Sequence, residues 1–178
     1  MSNDFLTDVQ TLRARAREEI EKGPITSAYA ADVDRVIKVL NEALATELVC
    51  VLRYKNHYYA ADGLNAEPVA QEFLEHAGEE QMHADRIATR IAQLGGEPDH
   101  NPDTLTARSH SEYKTSGDLL TMIKEDLVAE RVAIASYAEI IQWLGDKDPT
   151  TRRLLESILE NEEEHADDLR SLLEKNAQ

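Results

Sequence analysis

The sequence contains a single cysteine, Cys50, among 178 residues. One cysteine cannot form an internal disulfide or a thiolate metal cluster, so we expect a packed, inert thiol and a cytoplasmic protein. Glycine and proline are also scarce, with seven and five residues. Because both residues interrupt helices, their scarcity favours an all-α fold over a sheet.

Long apolar runs are absent, and basic residues are few. No segment approaches the roughly 18 apolar residues of a membrane span, and the first ten residues lack a basic segment followed by an apolar one, so we expect no membrane association or export. Lysine and arginine number 19 against 35 aspartate and glutamate residues, a net charge of −16. Nucleic acids bind cationic surfaces, so we expect no DNA binding and consider cations better partners.

Turn residues divide the chain into an N-terminal extension, residues 1–30, and one bundle domain, residues 31–178. The extension contains a short charged helix before Gly23-Pro24, and we interpret it as a packing or oligomer-contact arm. In the domain, hydrophobic periodicity predicts four helices, at about 31–61, 68–94, 118–144 and 150–175. About twenty residues rich in Pro, Asp, Ser and Thr follow the second helix, which predicts an antiparallel four-helix bundle with a long crossover between the second and third helices.

Each predicted helix carries an apolar stripe that is interrupted by polar residues. On the third helix the apolar members include Leu127, Ile134 and Ile141. The polar members on the four stripes are Glu47, Glu80, His83, Glu130, Glu162 and His165. Burying an unpaired carboxylate costs several kcal/mol, and no lysine or arginine lies on the stripes. Two divalent cations would balance four carboxylates, and neutral histidines would add ligands, so we predict a di-metal site in the core.

The spacing of these six residues is repeated along the chain. In Glu80-x-x-His83, and again in the fourth helix, the histidine follows its glutamate by three residues, which places both side chains on one helix face. Glu47 precedes Glu80 by 33 residues, and Glu130 precedes Glu162 by 32. The repeat predicts two similar helical hairpins around a pseudo-two-fold axis, with the metals on that axis.

Four neighbouring residues are candidates to support the ligands. Tyr54 and Tyr137 each lie seven residues after a lone glutamate. In one interpretation they hydrogen-bond ligands or donate electrons, and in the other they are ordinary core tyrosines. Glu79 and Asn161 directly precede the Glu-x-x-His pairs and are candidates to orient the opposing histidines; the alternative is solvated surface. We interpret His76 as a histidine at the edge of the core rather than an extra ligand.

From about residue 33 to residue 173 the chain resembles bacterioferritin and the related Dps-like cage proteins of the ferritin-like superfamily. The resemblance lies in the segments LNEALATELVCVLRY, EEQMHADR, EDLVAERVA and ENEEEHADDL. It implies that the six polar residues are ferroxidase-centre ligands, with Glu80 and Glu162 as candidates to bridge both ions. It also implies a homo-oligomeric cage of twelve or twenty-four subunits.

The resemblance implies iron storage and detoxification, in which two iron ions per subunit are oxidised from Fe(II) by O₂ or H₂O₂ and kept as mineral in the shell. Oxygen and nitrogen ligands without thiolate suit iron, with manganese or zinc as substitutes. Haem is not expected, because Gln81 stands where bacterioferritin has its haem methionine, and Met82 is turned by about 100° from that position.

Three alternatives remain at this point. A non-storing di-metal peroxidase or a manganese catalase would use the same ligands, and an acidic helical scaffold would bind no metal. A rubrerythrin would need a Cys-x-x-Cys module, which a chain with one cysteine lacks.

Overall fold

The structure is a computed structural model that describes residues 7–18, 20–63 and 66–176. This part of the chain contains six α-helices and no strand: α1 Val9–Arg15, α2 Val33–Ala60, α3 Ala66–Gln93, α4 Leu105–Arg108, α5 Leu119–Leu144 and α6 Pro149–Asn176. The four long helices α2, α3, α5 and α6 agree with the predicted bounds to within two residues, which confirms the all-α prediction. Within the described ranges, no helix combines the length and the apolar character needed to cross a bilayer.

Aspartates begin α2 and α5, and a glycine ends α5. The side chains of Asp32 and Asp118 each accept a backbone N–H of the first turn, at 3.2 Å and 2.8 Å, which satisfies a donor that the helix itself leaves free. Gly145 follows α5 with a φ of 50°, in the left-handed region that favours glycine. Pro149 then fits the first position of α6 because its fixed φ is already helical.

The bundle consists of two helical hairpins, with α2 packed mainly on α3 and α5 mainly on α6. Two apolar clusters fill it. One includes Leu40, Leu44, Ile87, Ile91, Leu144, Leu155 and Ile158, and the other includes Cys50, Val69, Phe73, Met122, Ile123 and Leu169. Each large buried side chain contributes about 1.5–3 kcal/mol. Each long helix passes from one cluster to the other through the glutamate near its middle.

Residues 94–118 form the predicted crossover and run along α2. Asn41 of α2 accepts the N–H of Asp99 at 2.8 Å and donates to the carbonyl of Glu97 at 3.2 Å. The short helix α4 packs Leu105 against α2. The crossover is therefore held to the bundle by hydrogen bonds as well as by an apolar contact.

The N-terminal extension packs against the bundle through its last residues. Its helix α1 ends at Arg15, earlier than the predicted charged helix, and a 3₁₀ turn follows at Ile20–Lys22. Ile25 and Tyr29 pack against the apolar cluster that contains Leu40. Residues 1–6 and 19 of the predicted extension, and 177–178 of the predicted domain, lie outside the described residues, and the division at residue 31 stays a prediction.

The predicted apolar stripe of α5 is partly wrong. The residues buried with Glu130 and Tyr137 are Met122, Ile123, Asp126, Ala129, Ala133, Ile140 and Leu144, whereas Leu127, Ile134 and Ile141 are only half-buried. Ala129 and Ala133 occupy the interior next to Glu130, where a larger side chain would compete with the polar groups for space. The buried face of α5 therefore includes the small residues Ala129 and Ala133, which a hydrophobic pattern does not distinguish from exposed positions.

Candidate metal centre

The six predicted ligands converge in the middle of the bundle, where they are at most 2% exposed. We call Glu47, Glu80, His83, Glu130, Glu162 and His165 the central cluster. Their ligand atoms form two groups, and within each group all atoms lie within 4.8 Å of one another. The groups are Glu47, Glu80, His83 and Glu162, and Glu80, Glu130, Glu162 and His165. Glu80 and Glu162 belong to both groups, as bridging ligands would.

Both histidines point their Nδ1 atoms into the cluster. His83 Nδ1 lies 3.1 Å from a carboxylate oxygen of Glu162 and 3.3 Å from one of Glu47. His165 Nδ1 lies 3.6 Å from Glu80 and 3.8 Å from Glu162. Because metal–ligand bonds are about 2.0–2.2 Å long, ligands of one ion lie roughly 3–4 Å apart. These separations are therefore compatible with cations bound between the two kinds of group.

The outer nitrogens of the histidines are held by residues of the opposite helix. His165 Nε2 donates to Glu79 at 2.7 Å, and His83 Nε2 lies 3.4 Å from the side-chain oxygen of Asn161. A hydrogen bond at Nε2 places the ring hydrogen there and leaves Nδ1 free to bind a cation. The structure therefore places Glu79 and Asn161 where they can orient the two histidines across α3 and α6.

Tyr54 and Tyr137 contact the lone glutamates in a crosswise manner. The Tyr54 hydroxyl of α2 donates to Glu130 Oε1 of α5, and the Tyr137 hydroxyl of α5 donates to Glu47 Oε1 of α2. Burial, reinforced by these carboxylates, raises the pKa of both phenols well above the usual range, so they remain donors. Each lone glutamate thus has one oxygen fixed by a tyrosine, while its Oε2 faces the cluster.

Buried polar atoms without hydrogen-bond partners are concentrated in this cluster. Of nine such side-chain atoms in the described residues, seven belong to it: Glu47 Oε2, Glu80 Oε1, His83 Nδ1, Glu130 Oε2, both Glu162 oxygens and His165 Nδ1. Each unsatisfied buried group costs about 1–3 kcal/mol. Cations would satisfy all seven atoms together, and this donor set of oxygen and imidazole nitrogen suits iron or manganese.

The pKa values of the cluster show how unfavourable its concentrated negative charge is. Burial, together with the charge of Glu80, raises the pKa of Glu47 well above its usual range, and burial and the other three carboxylates do the same for Glu162. Burial alone would lower the pKa of His83, but the adjacent carboxylates of Glu47 and Glu80 outweigh burial and raise it to about 10. Burial would also lower the pKa of His165, but the nearby carboxylates of Glu80 and Glu130 outweigh it and raise this pKa to about 9. Cation binding must therefore displace protons, and affinity should increase with pH.

His76 lies closer to the cluster than its interpretation as an edge residue suggested. Its ring stacks on His165 with centroids 4.0 Å apart, and its Nδ1 lies 3.3 Å from the Tyr54 hydroxyl. Burial, with the charge of His165, lowers the pKa of His76 to about 3, so its imidazole is neutral. The signal was available in the sequence, because His76 occupies a stripe position one turn before Glu80.

A buried ion pair beside the cluster was not predicted. Arg53 Nε donates to Asp126 at 2.8 Å, and His57 Nδ1 lies 2.8 Å from the other oxygen of Asp126. Arg53 also donates to the carbonyl of Glu112 in the crossover at 3.0 Å. The guanidinium lies 3.8 Å from the sulfur of Cys50, whose pKa is raised well above its usual range by burial, so the thiol is protonated. The pair joins α2, α5 and the crossover.

Comparison with known proteins identifies the fold and its relatives. The sequence model of the ferritin-like domain matches residues 37–178. Bacterioferritin of Desulfovibrio desulfuricans is 31% identical over 132 residues, which cover 74% of this chain and 70% of that protein. The DNA protection during starvation protein of Pyrococcus furiosus is 33% identical over 144 residues, covering 75% and 74%. The dodecameric thioferritin of Bacteroides fragilis, a bacterioferritin-related protein, superimposes with a TM-score of 0.80 at 34% identity, covering 83% of this chain and 89% of that one. This chain therefore belongs to the ferritin-like family.

Proposed function

We propose that this protein stores and detoxifies iron by oxidising Fe(II) at the central cluster and retaining the Fe(III) product in a homo-oligomeric shell. One observation carries the proposal: four carboxylates and two imidazoles are buried together, and none of the described lysine or arginine side chains pairs with them. The bacterioferritin relative, at 31% identity, supports iron as the cation.

The central cluster divides naturally between two ions. Glu47 and His83 face one position, and Glu130 and His165 face the other, while Glu80 and Glu162 are shared. Two divalent cations, about 3.5–4 Å apart in sites of this type, would balance the four carboxylates. Each Fe(II) gives up one electron, so a pair supplies two electrons to O₂ or H₂O₂. The side chains hold both ions in reach of one oxidant molecule and neutralise their charge.

The two tyrosines limit how the lone glutamates can bind a cation. Because Tyr137 occupies Oε1 of Glu47, that glutamate offers one oxygen to a cation, and Tyr54 has the same effect on Glu130. Glutamates that bind through one oxygen would leave room for the oxidant beside the ions. Manganese and zinc have compatible ligand preferences and are the expected substitutes. We propose no haem, since Gln81, which hydrogen-bonds Asp85 at 2.9 Å, offers no thioether at the place of the bacterioferritin haem methionine.

The proposed shell is a closed assembly of identical subunits. The Bacteroides fragilis relative is described as dodecameric, and at 34% identity over 83% of this chain it favours twelve subunits over twenty-four. Leu52, Met82 and Val128 are each more than half exposed on the outer faces of α2, α3 and α5, where they are available for contacts between subunits.

Anaerobic titration with Fe(II), followed by addition of O₂ or H₂O₂, tests the proposal when the particle mass is measured on the same sample. We expect rapid oxidation of two Fe(II) per subunit, then retention of far more iron in a large homo-oligomer. Oxidation without retention in a small oligomer would instead indicate a di-metal peroxidase, and H₂O₂ dismutation by a manganese-loaded protein would indicate a manganese catalase. A protein that binds no metal and melts at the same temperature in chelator would be a scaffold, which contradicts the proposal.

A further inference from the structure

A second group of potential ligand atoms lies outside the central cluster, between α3 and α6. Glu72 and His76 of α3 and Asp168 of α6 each offer one atom, and the three atoms lie within 4.8 Å of one another. His76 is 2% exposed, whereas the Glu72 side chain is 31% exposed and Asp168 is half-buried. The group therefore extends from solvent to the interior.

The hydrogen bonds of His76 determine which of its nitrogens carries the hydrogen. Tyr54 has one hydroxyl hydrogen, which it donates to Glu130. A hydrogen on His76 Nδ1, which lies 3.3 Å from the same hydroxyl oxygen, fits this arrangement because that oxygen can accept it. In the neutral imidazole, Nε2 then has a free lone pair, and this lone pair faces a carboxylate oxygen of Glu72 at 3.5 Å.

A lone pair that faces carboxylates is unfavourable unless a cation lies between them. Burial and the nearby charges of Asp168 and Glu75 raise the pKa of Glu72 above its usual value. Within residues 7–18, 20–63 and 66–176, no lysine or arginine forms an ion pair with Glu72 or Asp168. The nearest basic residue on α6, Arg170, pairs with Asp167 and Glu174 instead. A bound cation would satisfy the lone pair and both carboxylates.

We propose that Glu72, His76 and Asp168 form a third cation site, which binds a divalent first-row transition metal ion with water as its remaining ligands. One imidazole nitrogen with two carboxylates favours such ions over calcium or magnesium, which prefer all-oxygen sites. The His76 ring stacks directly on His165, so an ion here is one side chain away from the central cluster. Delivery of iron from this site to the central cluster rests on the proposed function, whereas binding itself does not.

Cobalt(II), which mimics Fe(II) without reacting with O₂ on this timescale, provides the test. The full-length assembled protein is titrated with Co²⁺ by equilibrium dialysis, and crystals soaked in Co²⁺ are located by anomalous scattering. We expect two ions in the central cluster and one ion on Glu72, His76 and Asp168. The double variant Glu72→Gln/Asp168→Asn should lose only the outer ion. Glu67→Gln, which changes an exposed acid on the same helix, is the matched control and should keep all ions.

The outcomes separate this site from the proposed function. If the wild-type protein binds two ions and the double variant Glu47→Ala/Glu130→Ala loses both, the third site is wrong and the metal site in the central cluster is supported. If wild type binds one ion, lost in Glu72→Gln/Asp168→Asn, the third site stands and the proposed function is wrong. Retention of the outer ion by that double variant, or its equal loss in Glu67→Gln, would overturn the assignment of these ligands.

Discussion

Two buried polar clusters in this bundle differ in charge: one pairs its carboxylate with an arginine, and the other has four carboxylates and no arginine or lysine. Tyr29, Arg90, Asp148 and Thr151 form what we call the Asp148 cluster, in which Asp148 accepts from Arg90 at 3.1 Å, from the Thr151 hydroxyl at 2.5 Å and from the Tyr29 hydroxyl at 2.8 Å. None of its described atoms lacks a partner, whereas seven atoms of the central cluster do. The charge of a buried acid with its own guanidinium is compensated within the protein, and a buried acid without one is suited to bind a cation.

The pKa values separate the two clusters in the same way. Burial would raise the pKa of Asp148, but hydrogen bonds from Thr151 and Tyr29 and the charge of Arg90 outweigh it, so the pKa is lowered. A lowered folded-state pKa contributes stability above the unfolded value, near 3.9, and that contribution is lost as pH falls through the folded pKa. In the central cluster the pKa of Glu47, Glu130 and Glu162 is raised, mainly by burial, so ionising them opposes folding.

The largest expected effect comes from removing a ligand of the central cluster. Glu130→Ala should abolish rapid Fe(II) oxidation, because one ion loses its lone glutamate. The loss of activity should exceed the roughly 10–100-fold that is typical when a residue that only hydrogen-bonds a ligand is removed. The free energy of unfolding of the metal-free protein should change little, because removing a carboxylate whose ionisation opposes folding offsets the loss of its hydrogen bond with Tyr54. Stopped-flow oxidation and urea unfolding measure the two quantities.

Glu139→Ala is the matched control for Glu130→Ala, since Glu139 is an exposed glutamate on the same helix. Its oxidation rate should equal that of wild type. Unchanged oxidation in Glu130→Ala would remove this residue from the site and with it the contrast between the two clusters.

Removing the arginine of the Asp148 cluster should lower stability and leave oxidation unchanged. Arg90→Met leaves the carboxylate of Asp148 buried without its guanidinium, and removing one partner of a buried pair costs about 3–5 kcal/mol. Oxidation per folded subunit should be unchanged, because Arg90 lies among the apolar residues at the far end of α3. Urea unfolding measures the loss, and Arg86→Met, an exposed arginine on the same helix, should show almost none. Equal stability of the two variants would mean that Arg90 does not compensate Asp148.

The central cluster could be predicted from the sequence, and the Asp148 cluster could not. A glutamate on an apolar stripe is visible because its neighbours three and four residues away are apolar, and the repeat of the pattern in two hairpins argues against coincidence. Arg90 and Asp148 are 58 residues apart, and each alone resembles an ordinary surface residue. Only the packing of α3 against α6 brings them together, so no local pattern reports the pair.

The crosswise contacts of the site also required the structure. The spacing placed Tyr54 and Glu47 on one face of α2, but the Tyr54 hydroxyl reaches Glu130 on another helix. The misplaced apolar stripe of α5 has a related cause, since Asp126 is buried only because Arg53 of α2 neutralises it. Sequence periodicity assigns residues to a helix face, whereas contacts between faces depend on how the helices are rotated against each other.

The smallest effect expected here comes from a residue that touches a ligand without being one. Glu79→Ala removes the acceptor that holds His165 Nε2 at 2.7 Å, and loss of such a partner typically lowers metal affinity by about 10–100-fold. Glu79→Gln keeps a side-chain oxygen at that place and should restore part of the affinity. Because Glu79 is partly exposed, the metal-free stability of both variants should stay within about 0.5 kcal/mol of wild type.

Anaerobic competition for Co²⁺ against a chromophoric chelator measures the affinity, with Glu75→Ala as the control for lost charge. If Glu79→Ala and Glu75→Ala weaken binding equally, Glu79 acts only through its charge and the orientation of His165 is set by the packing of its ring on His76.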